Sequence, residues 1–231
     1  MPVATAVIFD CYGTLTVSAT REARAAGHEL VAAALGVDLD AYAAAMTNTW
    51  QERARGRLGD LPQTLRVIAN ACGVDPDEAT LAHASAVRRE TQRAFLELRP
   101  DAVPTLRALN ERGLKTAVVS DCTHELAEQW PELAVAPYVG ATVFSVVEGL
   151  KKPEPAIFLL ASERLGIRPA EALYVGDGDG NELPGSAAVG MRPIRLLTPD
   201  HAHGHVFDPV TWTGATTSSL QEVLDILDEE Q

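Results

Sequence analysis

The 231-residue sequence predicts an α/β protein, a doubly wound parallel sheet carrying an all-helical insertion. Three features predict it. From Asp101 onward short apolar runs alternate with helical periods. A separate apolar run, Val7-Ile8-Phe9, stands near the N-terminus and delivers a carboxylate, Asp10. Between the two lie about eighty residues with helical periodicity alone.

The first run reads as a buried strand that turns sharply at Gly13-Thr14, which puts Asp10 at its C-terminal end, where open α/β sheets bind ligands. A buried carboxylate there is costly unless it meets a cation or is used chemically. Ser18 is expected to cap a helix over 19–35. Asp38 or Asp40 opens a second, with Tyr42, Met46 and Trp50 on one face as expected core of the helical block. Pro62 begins a third that ends at Gly73, and Asp75-Pro76 a fourth that ends before Arg99-Pro100. A helix over 102–112 then stops at Gly113, a left-handed cap. Strand 115–120, a short helix around Glu125, strand 141–146, helix 155–165, strand 172–175 and strand 192–196 follow in turn. Ser219-Leu220-Gln221-Glu222 reads as a capping box before the terminal helix. The expected division is a core of residues 1–16 and 97–231, with helices over 17–96 hanging above the ligand edge.

The net charge of −13, from 32 acidic against 19 basic residues, disfavours nucleic acid and anionic membranes as partners. An anionic substrate must then be attracted locally. Three unpaired cysteines, no signal-like N-terminus and no run near membrane-span length predict a reduced cytoplasmic protein, a monomer or homodimer.

Four strand ends are predicted to converge on one sheet edge: Asp10, Ser120-Asp121, Lys151-Lys152-Pro153, and the loop Gly176-Asp177-Gly178-Asp179-Gly180-Asn181-Glu182. A carboxylate, a hydroxyl, an ammonium and an acidic glycine-rich loop suit a phosphoryl group and a divalent cation. Mg²⁺ takes oxygen ligands, commonly one or two carboxylates plus substrate phosphate. Transfer to a carboxylate splits hydrolysis into two easier steps.

In these residues the chain resembles the haloacid dehalogenase superfamily. Asp10-x-Tyr12-Gly13-Thr14-Leu15, Ser120, Lys152-Pro153 and Gly176-Asp177 each match one of its four motifs, and the helical block looks like the family's first-type cap. The resemblance implies a Rossmann-like core with Asp10 as nucleophile. It implies phosphate binding by Gly13, Thr14, Ser120, Asp121 (through its backbone N–H) and Lys152. Lys152 is chosen over Lys151 because the family lysine directly precedes proline. It further implies Mg²⁺ held by Asp10, the Tyr12 backbone carbonyl and Asp177. Glu182 stands where relatives carry a second acid and would act behind the ligands, through water or by orienting Lys152. Asp179 is expected to be a solvated loop residue.

Tyr12 departs from the phosphatase pattern, since it occupies the position of the usual general-acid aspartate. A phenol of pKa about 10 donates a proton but is a poor base, so part of the ~10²–10⁴-fold from acid–base catalysis is lost. The 2-haloacid dehalogenases share Asp-x-Tyr-Gly-Thr, and halide leaves without a proton. Their fourth motif, however, lacks the metal carboxylate that this chain keeps as Asp177. The expectation is therefore an Mg²⁺-dependent phosphatase of a small phosphate ester. The alternatives are a metal-free 2-haloacid dehalogenase using Asp10, or a non-catalytic binding protein.

Other features are expected to be structural. Arg53, Arg55 and Arg57 read as a solvated face, with a reach across the cleft to an anionic substrate as the alternative, and His201-Ala202-His203-Gly204-His205 as an exposed loop, with transition-metal binding as the alternative. Cys11 and Cys122 read as buried, inert thiols.

Overall fold

A computed structural model describes residues 3–204 and 212–229. After β1 (Ala6–Phe9) come α1 (Arg21–Leu35), α2 (Leu39–Asn48), α3 (Trp50–Ala54), α4 (Leu61–Ala71) and α5 (Glu78–Arg93). The chain then alternates through α6 (Ala102–Glu111), β2 (Lys115–Ser120), α7 (His124–Gln129), β3 (Ala141–Phe144), α8 (Ser145–Glu148) and α9 (Pro155–Leu165). It ends with β4 (Ala172–Gly176), α10 (Glu182–Ala188), β5 (Arg192–Leu196), α11 (His201–Gly204), β6 (Thr216–Thr217) and α12 (Glu222–Asp228).

All strand pairs are parallel, in the order β3-β2-β1-β4-β5-β6, so β1 lies inside the sheet and the crossovers cover both faces. The predicted α/β architecture is observed. The period of two divides each inner strand between two cores. Val7, Phe9 and Val118 pack on one face, and Ala6, Ile8, Ala117 and Val119 on the other. Register then sets the site: Phe9 pairs with Val118 on one side and Val175 on the other, so Asp10, Ser120 and Asp177 leave the sheet at nearly one level.

Helices α1, α2, α4 and α5 bury a third cluster of their own, around Val31, Leu35, Tyr42, Leu65, Ile68 and Leu81. The chain leaves and re-enters the sheet layer through two adjacent antiparallel connectors, where Thr16 bridges Leu98 and the Arg99 N–H donates to the Leu15 carbonyl at 2.9 Å. Three arginines of α5 reach acids on or just beyond α7: Arg88 to Glu125 at 2.5 Å, Arg89 to Glu128 at 2.6 Å and Arg93 to Glu132 at 2.8 Å.

Several element ends differ from expectation, each for a local reason. Thr20, not Ser18, caps α1, its hydroxyl accepting from the Ala23 N–H at 3.1 Å, while the Ser18 N–H donates to Asp200 at 2.8 Å. Asp38 caps α2, but that helix stops at Thr49 and Trp50 opens α3. Asp60 with Gln63 forms a capping box that starts α4 one residue before Pro62, and α4 ends at Ala71. Asp77, not Asp75, caps α5, and α6 ends at Glu111. β3 ends at Phe144 because the Ser145 hydroxyl accepts from the Cys122 N–H at 2.9 Å, turning the chain into α8. At the last helix the Ser219 hydroxyl accepts from the Glu222 N–H, but the Glu222 carboxylate takes the Ser218 N–H at 2.9 Å rather than that of Ser219. Two-residue β6 has no counterpart in the expected elements. Among the described residues no single helix is long and apolar enough to cross a membrane.

Candidate active site

Strand register and one tight turn deliver the central groups. Gly13 has φ +76°, and a Cβ there would sit 2.5 Å from Asp177 Oδ2. Glycine therefore lets the turn after β1 lie against the loop after β4. Asp10 is buried; its N–H donates to the Val175 carbonyl at 2.9 Å, and the Thr14 hydroxyl donates to Asp10 Oδ2 at 3.3 Å.

Lys152 Nζ, itself buried, donates to Asp10 Oδ1 at 2.6 Å and to Glu182 Oε2 at 2.5 Å. Glu182 also accepts from the Tyr174 hydroxyl at 2.8 Å and from the Gly178 N–H at 3.0 Å. It thus contacts the lysine directly, with no intervening water needed. Lys151 turns elsewhere, to Asp121 Oδ2 at 2.9 Å. Asp121 also accepts the Lys152 N–H at 2.9 Å through Oδ1, so its side chain braces the lysine loop. The Ser120 hydroxyl is buried and has no hydrogen-bond partner among the described residues.

Oxygens of Asp10, Asp177 and Glu182 lie within 4.8 Å of one another, all buried. Three carboxylates around one ammonium leave negative charge in excess. Burial, then Glu182, pushes the Asp10 carboxyl up to about 7 against the pull of Lys152. Asp177 is driven well above the carboxylate range by burial, then by Glu182 and Asp10. Burial disfavours the charged form of Lys152, but Asp10 and Glu182 outweigh it and hold the ammonium on. Such a donor set, all oxygen and over-charged, fits a divalent cation.

A cavity of about 520 Å³ opens above these groups, a volume typical of small-molecule sites. Its sheet wall includes Asp10, Tyr12, Asp121, Lys152 and Asp177; its helical wall includes Arg24, His28, Trp50, Arg53, Arg88 and Phe95. The Tyr12 phenol is pushed well above its usual value by burial and then by the neighbouring thiols, so it stays neutral. Cys11 and Cys122 are buried, and burial raises both thiols further, as inert cysteines require.

Several side chains expected on the surface are inside. Arg53 is only 6% exposed and donates to the Met46 carbonyl at 2.7 Å and to the Thr49 hydroxyl at 3.1 Å. Arg55 pairs with Glu154, while Arg57 and its partner Glu52 are exposed as expected. Tyr42 and Met46 do pack in the helical core, but Met46 and Trp50 also line the cavity. Asp179 is half-buried on the cavity wall, its N–H donating to Asp177 Oδ1 at 2.9 Å. His201 is buried against the Gly13 carbonyl at 2.7 Å, beside Arg99, which Asp200 pairs at 2.8 Å. His205 lies outside the described residues.

Arg24, His28, Arg88 and Tyr174 were not singled out by the sequence. A signal existed for one of them: Tyr174 is a lone hydroxyl inside an apolar strand.

Residues 4–190 match the family model described as haloacid dehalogenase-like hydrolase. The chain is 31% identical over 194 residues to a glyceraldehyde 3-phosphate phosphatase of Methanopyrus kandleri, covering 83% of each. It is 32% identical over 228 residues to a phosphoglycolate phosphatase of Escherichia coli, covering 87% of this chain and 84% of that one. The crystal structure of a 2-haloacid dehalogenase from Pseudomonas syringae superposes with a TM-score of 0.72 at 21% identity, covering 99% of this chain and 100% of that one. The chain belongs to the haloacid dehalogenase-like hydrolases.

Proposed function

We propose that this member of the haloacid dehalogenase-like hydrolases is an Mg²⁺-dependent phosphatase of a small phosphate ester, working through a phosphorylated Asp10. The observation that carries the reading is the excess of buried carboxylates, Asp10, Asp177 and Glu182, around the single ammonium of Lys152. A metal-free dehalogenase has no use for that excess, because it protonates the nucleophile. The two phosphatase relatives, each covering more than four-fifths of the chain, support the same choice.

Mg²⁺ would be held by Asp10, Asp177 and the Tyr12 backbone carbonyl, and would neutralise the phosphoryl oxygens and keep Asp10 ionised. The Asp10 carboxylate attacks phosphorus; the P–O bond to the leaving group breaks as the Asp10 O–P bond forms. Ser120 Oγ, lacking any other partner among the described residues, donates to a phosphoryl oxygen, together with the Asp121 N–H and Lys152. Glu182, gripping Lys152 from behind, aims its ammonium at Asp10. Water then attacks phosphorus, breaking the Asp10 O–P bond and releasing inorganic phosphate. Tyr12, neutral at rest, gives its phenol proton to the leaving alkoxide, and the phenolate so formed takes one back from the attacking water, which restores the phenol. Helices over 17–96 act as the cap that closes this chemistry off from solvent.

Tyr12 favours a second reading, hydrolysis of a short 2-haloacid with the same nucleophile. One assay separates them: phosphate esters and 2-haloacids, each with Mg²⁺ and with EDTA. Ester hydrolysis abolished by EDTA is expected. Halide release that survives EDTA, with no ester hydrolysed, would reverse the assignment.

A further inference from the structure

Arg53 and Arg88 stand in the helical wall, both over nine-tenths buried, and both line the 520 Å³ cavity that opens on Asp10. Among the described residues Glu125 is the carboxylate that acts on both, and it binds Arg88 through Oε1 at 2.5 Å. Arg53 forms no ion pair among the described residues. Its Nε and Nη2 are spent on Thr49 and Met46, which leaves Nη1 without a hydrogen bond there. The ring of Trp50 lies 5.5 Å from its guanidinium carbon.

A buried guanidinium without a carboxylate is expensive, and proteins retain one where a ligand supplies the anion. The wall shows the strain of unbalanced positive charge. Burial and then Arg88 push Arg53 down to about 10, and His28 is lowered by burial, then by Arg88 and Arg53. The phosphoryl group itself belongs at Asp10 and Lys152 on the opposite wall, so it leaves the Arg53 charge unmet.

We propose that Arg53 binds a second anionic group on the substrate, a carboxylate or second phosphate carried by the leaving alcohol. The proposal rests on the phosphatase reading and narrows it to small doubly anionic phosphate esters. Arg53 is thereby the residue that selects among esters, while Arg88, held by Glu125, supports the field at that end.

The test measures binding apart from chemistry. Asp10→Asn protein with Mg²⁺ is titrated calorimetrically with two matched pairs: phosphoglycolate against 2-hydroxyethyl phosphate, and propane-1,3-diol bisphosphate against its monophosphate. The doubly anionic member of at least one pair is expected to bind about 10- to 100-fold tighter, the worth of one charge-assisted hydrogen bond. Adding Arg53→Met should shrink that ratio at least tenfold. Which pair responds tells carboxylate from phosphate. Arg53 also ties α3 to α2, so loss of structure would weaken both members of a pair alike; an unchanged ratio in Arg53→Met overturns the proposal. So does a wild-type ratio near one for both pairs. Turnover of p-nitrophenyl phosphate by the wild-type protein is read separately. Its absence would overturn the phosphatase reading, while the binding ratios still report on the subsite.

Discussion

On the sheet wall of the cavity three carboxylates, Asp10, Asp177 and Glu182, cluster together, and one ammonium, Lys152, pairs with two of them, Asp10 and Glu182. On the helical wall two guanidiniums, Arg53 and Arg88, face one carboxylate. The first wall is assembled from strand ends whose register leaves little freedom; the second from side chains of helices that pack on one another and reach over. One wall therefore suits a cation and the chemistry it supports, the other an anion. The contrast also explains how a chain of net charge −13 attracts an anionic substrate: its positive charge at the site is buried and local, where salt screens it least.

The sheet wall breaks most completely at Asp10. Asp10→Asn is nearly isosteric but removes the proposed nucleophile, and kcat is expected to fall at least ~10³-fold with the circular dichroism spectrum unchanged. Activity within tenfold of wild type, on protein free of contaminating phosphatase, would remove Asp10 from its role.

The two adjacent lysines sharpen the comparison, because both are buried and only one reaches Asp10. Lys152→Met leaves Asp10 and Glu182 without their shared cation, and kcat/KM should fall about 100-fold or more. Lys151→Met removes the pair with Asp121, which makes no contact with Asp10, and kcat/KM should fall less than about tenfold. Steady-state kinetics on one ester decides. Equal losses would mean that the loop acts as a unit and that the contact to Asp10 is incidental.

Much of the sheet wall is legible in the sequence. Asp10 follows an apolar run, Pro155 and Gly166 bound a helix as those residues should, and the alternation of strands and helices implies their convergence on one edge. These signals are local and repeat with known periods. The helical wall was not legible in the same way. Arg53 looked solvated because periodicity cannot foresee that the helix breaks at Thr49 and the guanidinium folds back onto the Met46 carbonyl. His201 looked like loop because its partners, Gly13 and Arg99, lie far off in sequence. Trp50 kept its place in the stripe and still faces the cavity, since a core stripe and a pocket wall share one pattern. What sequence hides here is long-range pairing.

The helical wall itself is tested through Arg88. Arg88→Met strands a buried Glu125, and breaking a buried pair in this way costs about 3–5 kcal/mol. A double change, Arg88→Met with Glu125→Leu, should recover most of that loss, since no charge is then left unpaired. Acid should have a related effect. Burial pushes Glu125 up, but Arg88 and the Thr123 hydroxyl outweigh it and hold the carboxyl below its ordinary 4.5. A group lowered on folding adds stability above its unfolded pKa and loses that contribution as pH falls through the folded value. Thermal melts of wild type should therefore lose stability below pH 4.5 by more than melts of the double variant do. Parallel pH curves would show that the pair contributes nothing.

The smallest effect lies one residue along the same helix. Arg89 and Glu128 meet at 2.6 Å with almost the same geometry as Arg88 and Glu125, but their side chains are 43% and 40% exposed against 8% and 3%. Water screens the outer pair in both the folded and unfolded states, and two long side chains must be ordered to form it. Exposed pairs of this kind are worth about 0.2–1 kcal/mol. A double-mutant cycle with Arg89→Ala and Glu128→Ala, read by urea unfolding, should return a coupling energy in that range, falling further in 1 M salt. The corresponding cycle on Arg88 and Glu125 should return a larger coupling that salt hardly changes, because ions do not reach it. Equal couplings at the two positions would mean that geometry rather than burial governs these pairs. The charge imbalance of the helical wall would then be no measure of its appetite for an anion.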